Sequence, residues 1–244
     1  MNQNLKEWWN SASKYGESLF NRTLEKTPEM ESAKSLAKIL EGAYKKGMKI
    51  LDVGCGPGHF LVSLRKRIDS GIDYTGYDFT QKYVDMANDY FKGTAKFYQG
   101  EVSDIKFEDA TYDIVMCNNV LLHLPPNLQK PLSELIRVSK KLTIVRTLFG
   151  KGNYIVKDVN YEEEFNEDLE SQKYLYYNIY TTEYVTKLLS KIPNISFKII
   201  EDNNFIEFDN RTECGELATR TVGNLQISGN IVFDWRYIII EKSK

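Results

Sequence analysis

The sequence predicts an α/β fold in which a mostly parallel β-sheet lies between two layers of helices. The first observation is that short apolar, β-branched runs alternate with amphipathic segments of helix length. The predicted strands are 50–53, 73–78, 95–99, 112–118 and 141–147, and the predicted helices between them are 60–68, 80–91 and 128–138. Such alternation requires right-handed crossovers between parallel strands. The second observation is the glycine-rich junction at 50–60, where the first strand turns directly into a helix.

The junction at 50–60 predicts a ligand site. Gly54, Gly56 and Gly58 occupy alternate positions directly after a strand that contains Asp52. Without a Cβ these glycines let a ligand approach the backbone, and the start of the following helix offers N–H groups that have no partner inside the helix. A nicotinamide or flavin fingerprint requires a glycine at the position of His59. The spacing therefore favours an adenosine-containing ligand of another kind.

The ends of the next strands carry polar residues that suit such a ligand. Asp78 ends the second strand, about one helix and one strand beyond the glycines, where a carboxylate can accept both hydroxyls of a ribose. The segment 100–104, Gly-Glu-Val-Ser-Asp, follows the third strand, and Asn118 ends the fourth. The order and spacing of these segments, rather than any single one, carry the prediction.

Together, these segments resemble the motifs of class I S-adenosylmethionine (SAM)-dependent methyltransferases. The pattern Asp-x-Gly-x-Gly-x-Gly at 52–58 resembles motif I, and the resemblance is close over about residues 45–150 and holds only in outline beyond them. It implies a Rossmann-like three-layer α/β/α fold with a mostly parallel seven-stranded sheet. Segments 195–201 and 231–241 would be the sixth and seventh strands, the last one antiparallel. The implied cofactor is SAM, with S-adenosylhomocysteine (SAH) as the product.

The resemblance also implies which residues bind SAM. The implied contacts are Asp52, Gly54, Cys55, Gly56, Gly58, His59, Asp78, Phe79, Glu101, Val102 and Asn118, with Tyr15 from the N-terminal segment. The family usually has Asp at the position of Glu101, so Asp104 stays an alternative contact to the adenine. The backbone carbonyl of Asn118 would bind the ammonium group of the cofactor. Tyr15, with the tryptophans that precede it, either closes over the cofactor as a lid or packs on the edge of the sheet.

Methyl transfer from a sulfonium is an in-line displacement, so the protein mainly aligns donor and acceptor and excludes water. A general base is needed only when the acceptor atom is protonated. His123 follows the fourth strand, where methyl group and acceptor meet in the family, and it is the candidate base; the alternative is a histidine that only packs. His59, the second of the chain's 2 histidines, is expected to have a structural or cofactor-contact role. Arg146, near the end of the fifth strand, is a candidate for binding an acidic group of the acceptor.

Composition and local sequence exclude several classes of partner. The formal net charge of −2 disfavours a nucleic-acid substrate, and residues 118–121 lack the Asn/Asp-Pro-Pro-aromatic sequence of adenine-amino methyltransferases. Leu122 stands where quinone-type O-methyltransferases commonly have Glu, and no other cluster has metal-ligand spacing, so no metal is expected.

The 3 cysteines suggest no disulfide framework. Without a signal-peptide or membrane-span pattern, a cytoplasmic protein without membrane contact is expected.

The sequence predicts one domain with three parts. Residues 1–45 would form an N-terminal helical lid, with a helix that begins at Thr27 and Pro28; residues 46–150 would bind SAM; residues 151–244 would hold acceptor-side insertions and the C-terminal strands. The favoured acceptor is an oxygen or nitrogen of a small molecule such as a sugar, a nucleotide-linked compound or a secondary metabolite. The alternatives are a protein or peptide acceptor, suggested by the acidic run at 162–170, and a catalytically silent SAM-binding module. The acceptor itself and the oligomeric state stay open.

Overall fold

The computed structural model describes residues 13–159, 174–202, 220–222, 225–228 and 231–243. The strands are β1 (Lys49–Val53), β2 (Asp73–Asp78), β3 (Lys96–Gln99), β4 (Tyr112–Asn118), β5 (Ser139–Gly150), β6 (Lys157–Val159), β7 (Tyr174–Tyr176), β8 (Ile195–Glu201), β9 (Arg220–Val222), β10 (Leu225–Ser228) and β11 (Ile231–Lys242). The helices are α1 (Ser13–Thr23), α2 (Glu31–Glu41), α3 (His59–Arg67), α4 (Gln81–Phe91), α5 (Gln129–Val138) and α6 (Thr182–Leu189), and Leu121–His123 form one 3₁₀ turn.

The main sheet has the strand order β3-β2-β1-β4-β5-β11, and both β8 and β10 pair with β11. Strands β1 to β5 are parallel to one another, whereas β11 runs antiparallel to β5 and to β8. The predicted fold class is thereby confirmed: the seven predicted strands are present, the last one is antiparallel, and β9 and β10 extend the sheet to nine strands. Strands β9 and β10 form an antiparallel pair inside the segment 209–230, part of the predicted acceptor-side insertions, and the rest of that segment lies outside the described residues.

The sheet separates two apolar cores. Consecutive residues of β1 enter opposite cores, Ile50 on the side of α2, α3 and α4 and Leu51 on the side of α5 and α6. Both side chains are fully buried, because helices cover both faces of a parallel sheet. This explains why the consecutive residues Ile50 and Leu51 are both apolar, where a strand with one solvent-facing side would alternate. The arrangement leaves the carboxyl ends of the parallel strands as the edge where a ligand can enter.

The start of α2 differs from the prediction. The helix begins after Met30, whose backbone is extended, and Thr27 and Pro28 are exposed in the segment that joins α1 to α2. A bidentate ion pair explains the difference, because the guanidinium of Arg67 donates to both carboxylate oxygens of Glu29 at 2.7 and 2.6 Å. This contact fixes the connection against α3, and the helix starts only beyond it.

Strand β5 is longer than predicted and extends to Gly150. Asn118, the last residue of β4, lies opposite Arg146, so the final residues of β5 project beyond the end of β4. They pair antiparallel with β11, in a register that joins Leu148 to Trp235 and Gly150 to Phe233. The two strands therefore continue as a ladder past the edge of the parallel sheet. This ladder, together with β6 and β7, stands beside the ligand-entry edge.

Candidate functional site

A cleft opens at the carboxyl ends of β1, β2 and β4, and it contains about 850 Å³ of space, part of it open to solvent. Its wall is formed by Tyr15, Leu19, Met30, Val53, Gly54, Gly56, His59, Phe60, Tyr77, Asp78, Phe79, Thr80, Tyr83, Gly100, Val102, Asn118, Asn119, Val120, His123 and Leu124. Most of this wall is apolar, and a few polar groups point into it. That combination is typical of a site for a small organic ligand.

The glycines after β1 form the floor of the cleft. Gly54 and Gly56 have φ values of +79° and +53°, in the left-handed region that favours glycine. A Cβ on Gly54 would lie 2.0 Å from Cγ2 of Val120, so any side chain there would displace the turn after β4. Gly58 does not line the cleft, because a Cβ there would meet the ring of Phe91 at 2.5 Å. Glycine is required at position 58 because the chain packs there against α4.

Asp78 lies in the cleft wall and connects the ends of β1 and β2. The backbone N–H of Gly56 donates to its Oδ2 at 2.8 Å, and the backbone N–H of Thr80 donates to its Oδ1 at 2.8 Å. Burial raises the pKa of this carboxyl above its usual value, against the opposing effect of these backbone donors. Each oxygen of a carboxylate has two lone pairs, so both can accept a further hydrogen bond. The side chain is therefore held in place with acceptor capacity left over.

Two other predicted contacts lie behind the cleft wall. Asp52 is buried, accepts a hydrogen bond from the hydroxyl of Tyr74 at 2.6 Å, and has its pKa raised to about 7 by burial. Cys55 is buried as well, and desolvation raises the pKa of its thiol. Neither residue belongs to the cleft wall. The thiol of Cys117, at the end of β4, is also free and buried.

Neither acidic candidate after β3 lines the cleft. Glu101 pairs through its backbone with Asp104 in an isolated bridge, and the carboxylate of Asp104 is largely exposed and paired with Lys106. The residues of this segment that do line the cleft are Gly100 and Val102. Neither Glu101 nor Asp104 belongs to the cleft wall, and a contact of either residue with the ligand stays a prediction.

His123 lines the cleft from the 3₁₀ turn that follows β4. Its Nδ1 lies 3.0 Å from the backbone carbonyl oxygen of Tyr176 in β7. A carbonyl only accepts, so Nδ1 carries the proton and Nε2 carries the basic lone pair. Burial lowers the pKa of the imidazole to about 4, which keeps it neutral at neutral pH. The ring is thus a positioned, uncharged proton acceptor.

Three other buried side chains in the cleft wall have polar atoms without a hydrogen-bond partner among the described residues. They are Nδ1 of His59, the hydroxyl of Tyr83 and both amide atoms of Asn118. Burial lowers the pKa of His59 to about 3, so its ring is neutral. Unpartnered buried polar atoms are rare because each costs free energy. Their convergence on one cleft indicates a polar ligand that supplies the missing partners.

The sequence analysis missed Tyr83. In the sequence it belongs to the apolar stripe of α4 and has the pattern of a core residue. Helix α1 packs against its ring, because a Cβ on Gly16 would lie 2.4 Å from Cε1 of Tyr83. The neighbouring Tyr15 is about half exposed and lines the cleft. The tryptophans at positions 8 and 9 lie outside the described residues.

Arg146 does not face the acceptor side. Its side chain is buried, and its Nε donates to Oδ2 of Asp202 at 2.7 Å. The expectation that it binds an acidic group of the acceptor is wrong, because the acidic partner is supplied by the chain itself. Within the described residues there is no cluster of three or more His, Cys, Asp or Glu placed to hold a metal ion. No helix in the described ranges has the length and apolar character to cross a membrane.

Comparison with known proteins identifies the family. Residues 44–193, more than half of the chain, match a family model described as "Methyltransferase domain". The chain belongs to this methyltransferase family. The predicted membership in the class I SAM-dependent methyltransferases is thereby confirmed.

This methyltransferase is similar in sequence to enzymes of several kinds. It is 28% identical to an uncharacterized methyltransferase of Schizosaccharomyces pombe, over 64% of this chain and 56% of that protein. It is 33% identical to a demethylmenaquinone methyltransferase of Staphylococcus aureus, over 39% of this chain and 40% of that protein. The matched part thus spans about half the length of these relatives.

Solved structures share the fold of this methyltransferase. Phosphoethanolamine N-methyltransferase 2 of Haemonchus contortus, in complex with SAM, superposes with a TM-score of 0.65 at 14% identity, covering 98% of this chain and 60% of that one. A 1,6-didemethyltoxoflavin-N1-methyltransferase of Burkholderia thailandensis, bound to its substrate and SAH, gives a TM-score of 0.64 at 13% identity, covering 99% and 88%. At such identities the likeness shows the fold alone.

Proposed function

We propose that this methyltransferase transfers a methyl group from SAM to an oxygen or nitrogen of a small-molecule acceptor and releases SAH. One observation carries the proposal: a glycine floor, a pre-positioned carboxylate and three buried, unpartnered polar side chains meet in one cleft. The chemistry of these groups fits SAM, which presents ribose hydroxyls, an ammonium, a carboxylate and an adenine edge. The family to which the chain belongs supports the same assignment.

In this proposal each group of the cleft has a role that its chemistry allows. Asp78 accepts hydrogen bonds from the ribose hydroxyls with the acceptor capacity that its two backbone donors leave over. Phe79 and Val102 contact the adenine from the cleft wall. Gly54 and Gly56 allow the methionine part of SAM to lie against bare backbone, next to Asn118.

His123 would serve as the general base for an acceptor that carries a proton. SAM supplies a methyl group on a positively charged sulfur, which is already a good leaving group. The Nε2 lone pair would take the proton of an acceptor hydroxyl as its oxygen attacks, or the proton of an acceptor ammonium before the nitrogen, which then has a lone pair, can attack. The hydrogen bond from Nδ1 to the Tyr176 carbonyl keeps that lone pair on Nε2 throughout. Above its pKa of about 4 the ring is ready to accept a proton.

A small acceptor is favoured over a protein. The cleft wall is mostly apolar and partly enclosed, which suits a compact organic molecule. Relatives and structural neighbours are named for small acceptors, among them demethylmenaquinone, sterols and phosphoethanolamine. The acidic run at 162–170, which suggested a basic peptide, lies outside the described residues, so no structural observation favours that alternative.

The first test is binding, followed by turnover. Calorimetric titration with SAM and SAH should give saturable binding, and a panel of small alcohols, amines, phenols, quinones and basic peptides is then screened for release of SAH. No binding of either compound would refute the proposal. Methylation of basic peptides alone would favour a protein acceptor. Binding with no SAH release from any acceptor class would favour a silent module.

The role of His123 is tested once an acceptor is known. His123→Ala should lower turnover by about 10² to 10⁴, the range expected for general acid–base catalysis, with the Kd of SAH within about twofold of wild type. His123→Asn keeps a polar side chain but provides no base, and it should lose as much turnover. Equal losses of turnover and SAH affinity in both variants would reduce His123 to a structural residue.

A further inference from the structure

A buried chain of polar contacts runs from α2, through β8 and β5, to the turn after β4. The carboxylate of Asp202 lies at its centre and accepts from the hydroxyl of Ser35 at 2.8 Å and from Nε of Arg146 at 2.7 Å. On the other side, Nη1 of Arg146 donates to Oδ1 of Asn119 at 2.5 Å. The side chains of Arg146 and Asp202 are 3% and 2% exposed. The ion pair therefore lies almost entirely out of solvent, whereas Asn119 is only partly buried.

Stability alone does not account for this arrangement. A buried ion pair often stabilises a fold no better than apolar side chains of the same shape, because removing both charges from water is costly. The indole ring of Trp235 lies against the guanidinium of Arg146, with its centroid 4.0 Å from Cζ, and restrains the plane of that group. A planar guanidinium presents its donors in a fixed fork. The distance between Asp202 and Asn119 is thereby fixed as well.

The turn that receives this contact shapes the cleft. Asn119 has a φ of +60°, and its backbone N–H donates to the carbonyl of Arg146 at 3.1 Å. Asn119 and its neighbours Asn118 and Val120 all line the cleft, and Val120 lies against Gly54. A non-glycine residue with a positive φ is uncommon and needs support from its surroundings. The second contact, from Nη1 to Oδ1 of Asn119, supplies that support.

We propose that Arg146 is a positioning residue for cofactor binding. It holds the turn at 118–120 in the shape that fits SAM, and Asp202 and Trp235 orient its guanidinium for this task. Arg146 itself does not line the cleft, so its effect on binding passes through Asn119. This inference rests on the proposed role of the cleft as the SAM site.

The test compares the Kd of SAH and the Tm of the free protein across matched variants. Arg146→Lys keeps a positive charge near Asp202 but cannot donate to Asp202 and Asn119 in the same fixed geometry. We expect its Kd for SAH to rise about tenfold, the worth of one lost hydrogen bond of a charged group. Arg236→Lys is the control, because Arg236 also bonds a carboxylate, Asp234, on the neighbouring strand β11 but away from the cleft. Its Kd should stay within about twofold of wild type.

A double-mutant cycle then separates positioning from a direct effect. Asn119→Gly keeps the positive φ and removes the side chain that Arg146 holds, so it should also raise the Kd about tenfold. If the two residues act through one contact, the double variant binds SAH no more weakly than the weaker single variant. Additive losses would overturn the inference. So would an unchanged Kd in Arg146→Lys, or an equal rise in Arg236→Lys.

Two results need separate interpretation. If Arg146→Lys does not fold, Trp235→Leu decides, because Trp235 restrains the guanidinium of Arg146 and lies outside the cleft wall: a weaker Kd supports the inference and an unchanged Kd overturns it. If the wild-type protein binds neither SAM nor SAH, the proposed function fails, and the inference fails with it. A wild type that binds, with variants that bind equally well, overturns only the positioning role.

Discussion

Replacing Asp78 by Asn removes a charge and one acceptor without changing the shape of the side chain. In the wild-type protein, each carboxylate oxygen of Asp78 accepts one hydrogen bond at 2.8 Å, Oδ2 from the backbone N–H of Gly56 and Oδ1 from that of Thr80. An amide has only one oxygen, so its NH₂ group must face one of these two donors. The same exchange removes one acceptor for the ribose. The variant therefore loses a charge-assisted hydrogen bond to the ligand and one anchor of the side chain itself.

The expected loss in affinity follows from these contacts. A hydrogen bond to a charged group contributes about 1.5–3 kcal/mol, which corresponds to a rise of about 10- to 150-fold in the Kd of SAH. The loss of folding stability should be smaller, because burial already raises the pKa of Asp78 and a neutral side chain removes that desolvation cost. Calorimetric titration with SAH measures the first effect, and thermal unfolding of the free protein measures the second.

Asp104→Asn is the matched control for this experiment. Its carboxylate is largely exposed, is paired with Lys106 and lies outside the cleft wall, so its removal should change the Kd by less than about twofold. An unchanged Kd in Asp78→Asn would refute the assignment of the ribose contact. A loss in Asp104→Asn as large as that in Asp78→Asn would restore Asp104 as a ligand contact and contradict the geometry of this turn.

Two further predictions concern the floor of the cleft and its neutral histidine. Gly54→Ala should abolish measurable SAH binding and destabilise the fold by about 2–4 kcal/mol in urea titration, because its Cβ would lie 2.0 Å from Val120 at a φ of +79°. Gly47→Ala is the control, because Gly47 also has a positive φ, at +88°, but has open space around it. This variant should lower the free energy of unfolding by only about 1–2 kcal/mol. Equal losses of stability in the two variants would contradict the clash at Gly54. The folded-state pKa of His59, about 3, lies below its usual value of about 6.5, so between these pH values the unfolded chain binds more protons than the folded protein. The free energy of unfolding therefore falls as the pH drops below about 6.5, by at most about 1.4 kcal/mol per pH unit. His59→Gln should flatten this decline between pH 7 and 5; parallel profiles would show that the ring is not buried neutral.

The parts of the site that the sequence predicts are those that depend on local chemistry. Three alternate glycines after a strand predict a turn with positive φ values, which glycine adopts far more readily than other residues. Gly54 and Gly56 both line the cleft, as expected. Asp78 could be placed because it ends a strand at a fixed distance from that turn. His123 could be placed for the same reason, directly after β4. In each case the strand end and the side chain are specified within a few residues of sequence.

The parts that the sequence does not predict depend on contacts between distant segments. The Arg146–Asp202 ion pair joins residues 56 positions apart, and neither residue has a local pattern that identifies the other as its partner. Tyr83 has the helical spacing of a core residue, and only the packing of α1 against its ring shows that it belongs to the cleft wall. Such features are decided by tertiary packing, which composition and periodicity do not record.

The contact between His123 and β7 links the position of the proton on the imidazole to the shape of the proposed acceptor site. The carbonyl of Tyr176 belongs to the hairpin of β6 and β7, an insertion beside the ligand-entry edge, and it determines which imidazole nitrogen carries the proton. In the proposed mechanism, exchange of this hairpin for that of a relative would alter the proton acceptor together with the shape of the acceptor site. Substrate range and proton transfer would then change together whenever this segment changes. Grafting a new acceptor specificity onto this protein therefore requires a hairpin that presents a carbonyl at the position of residue 176.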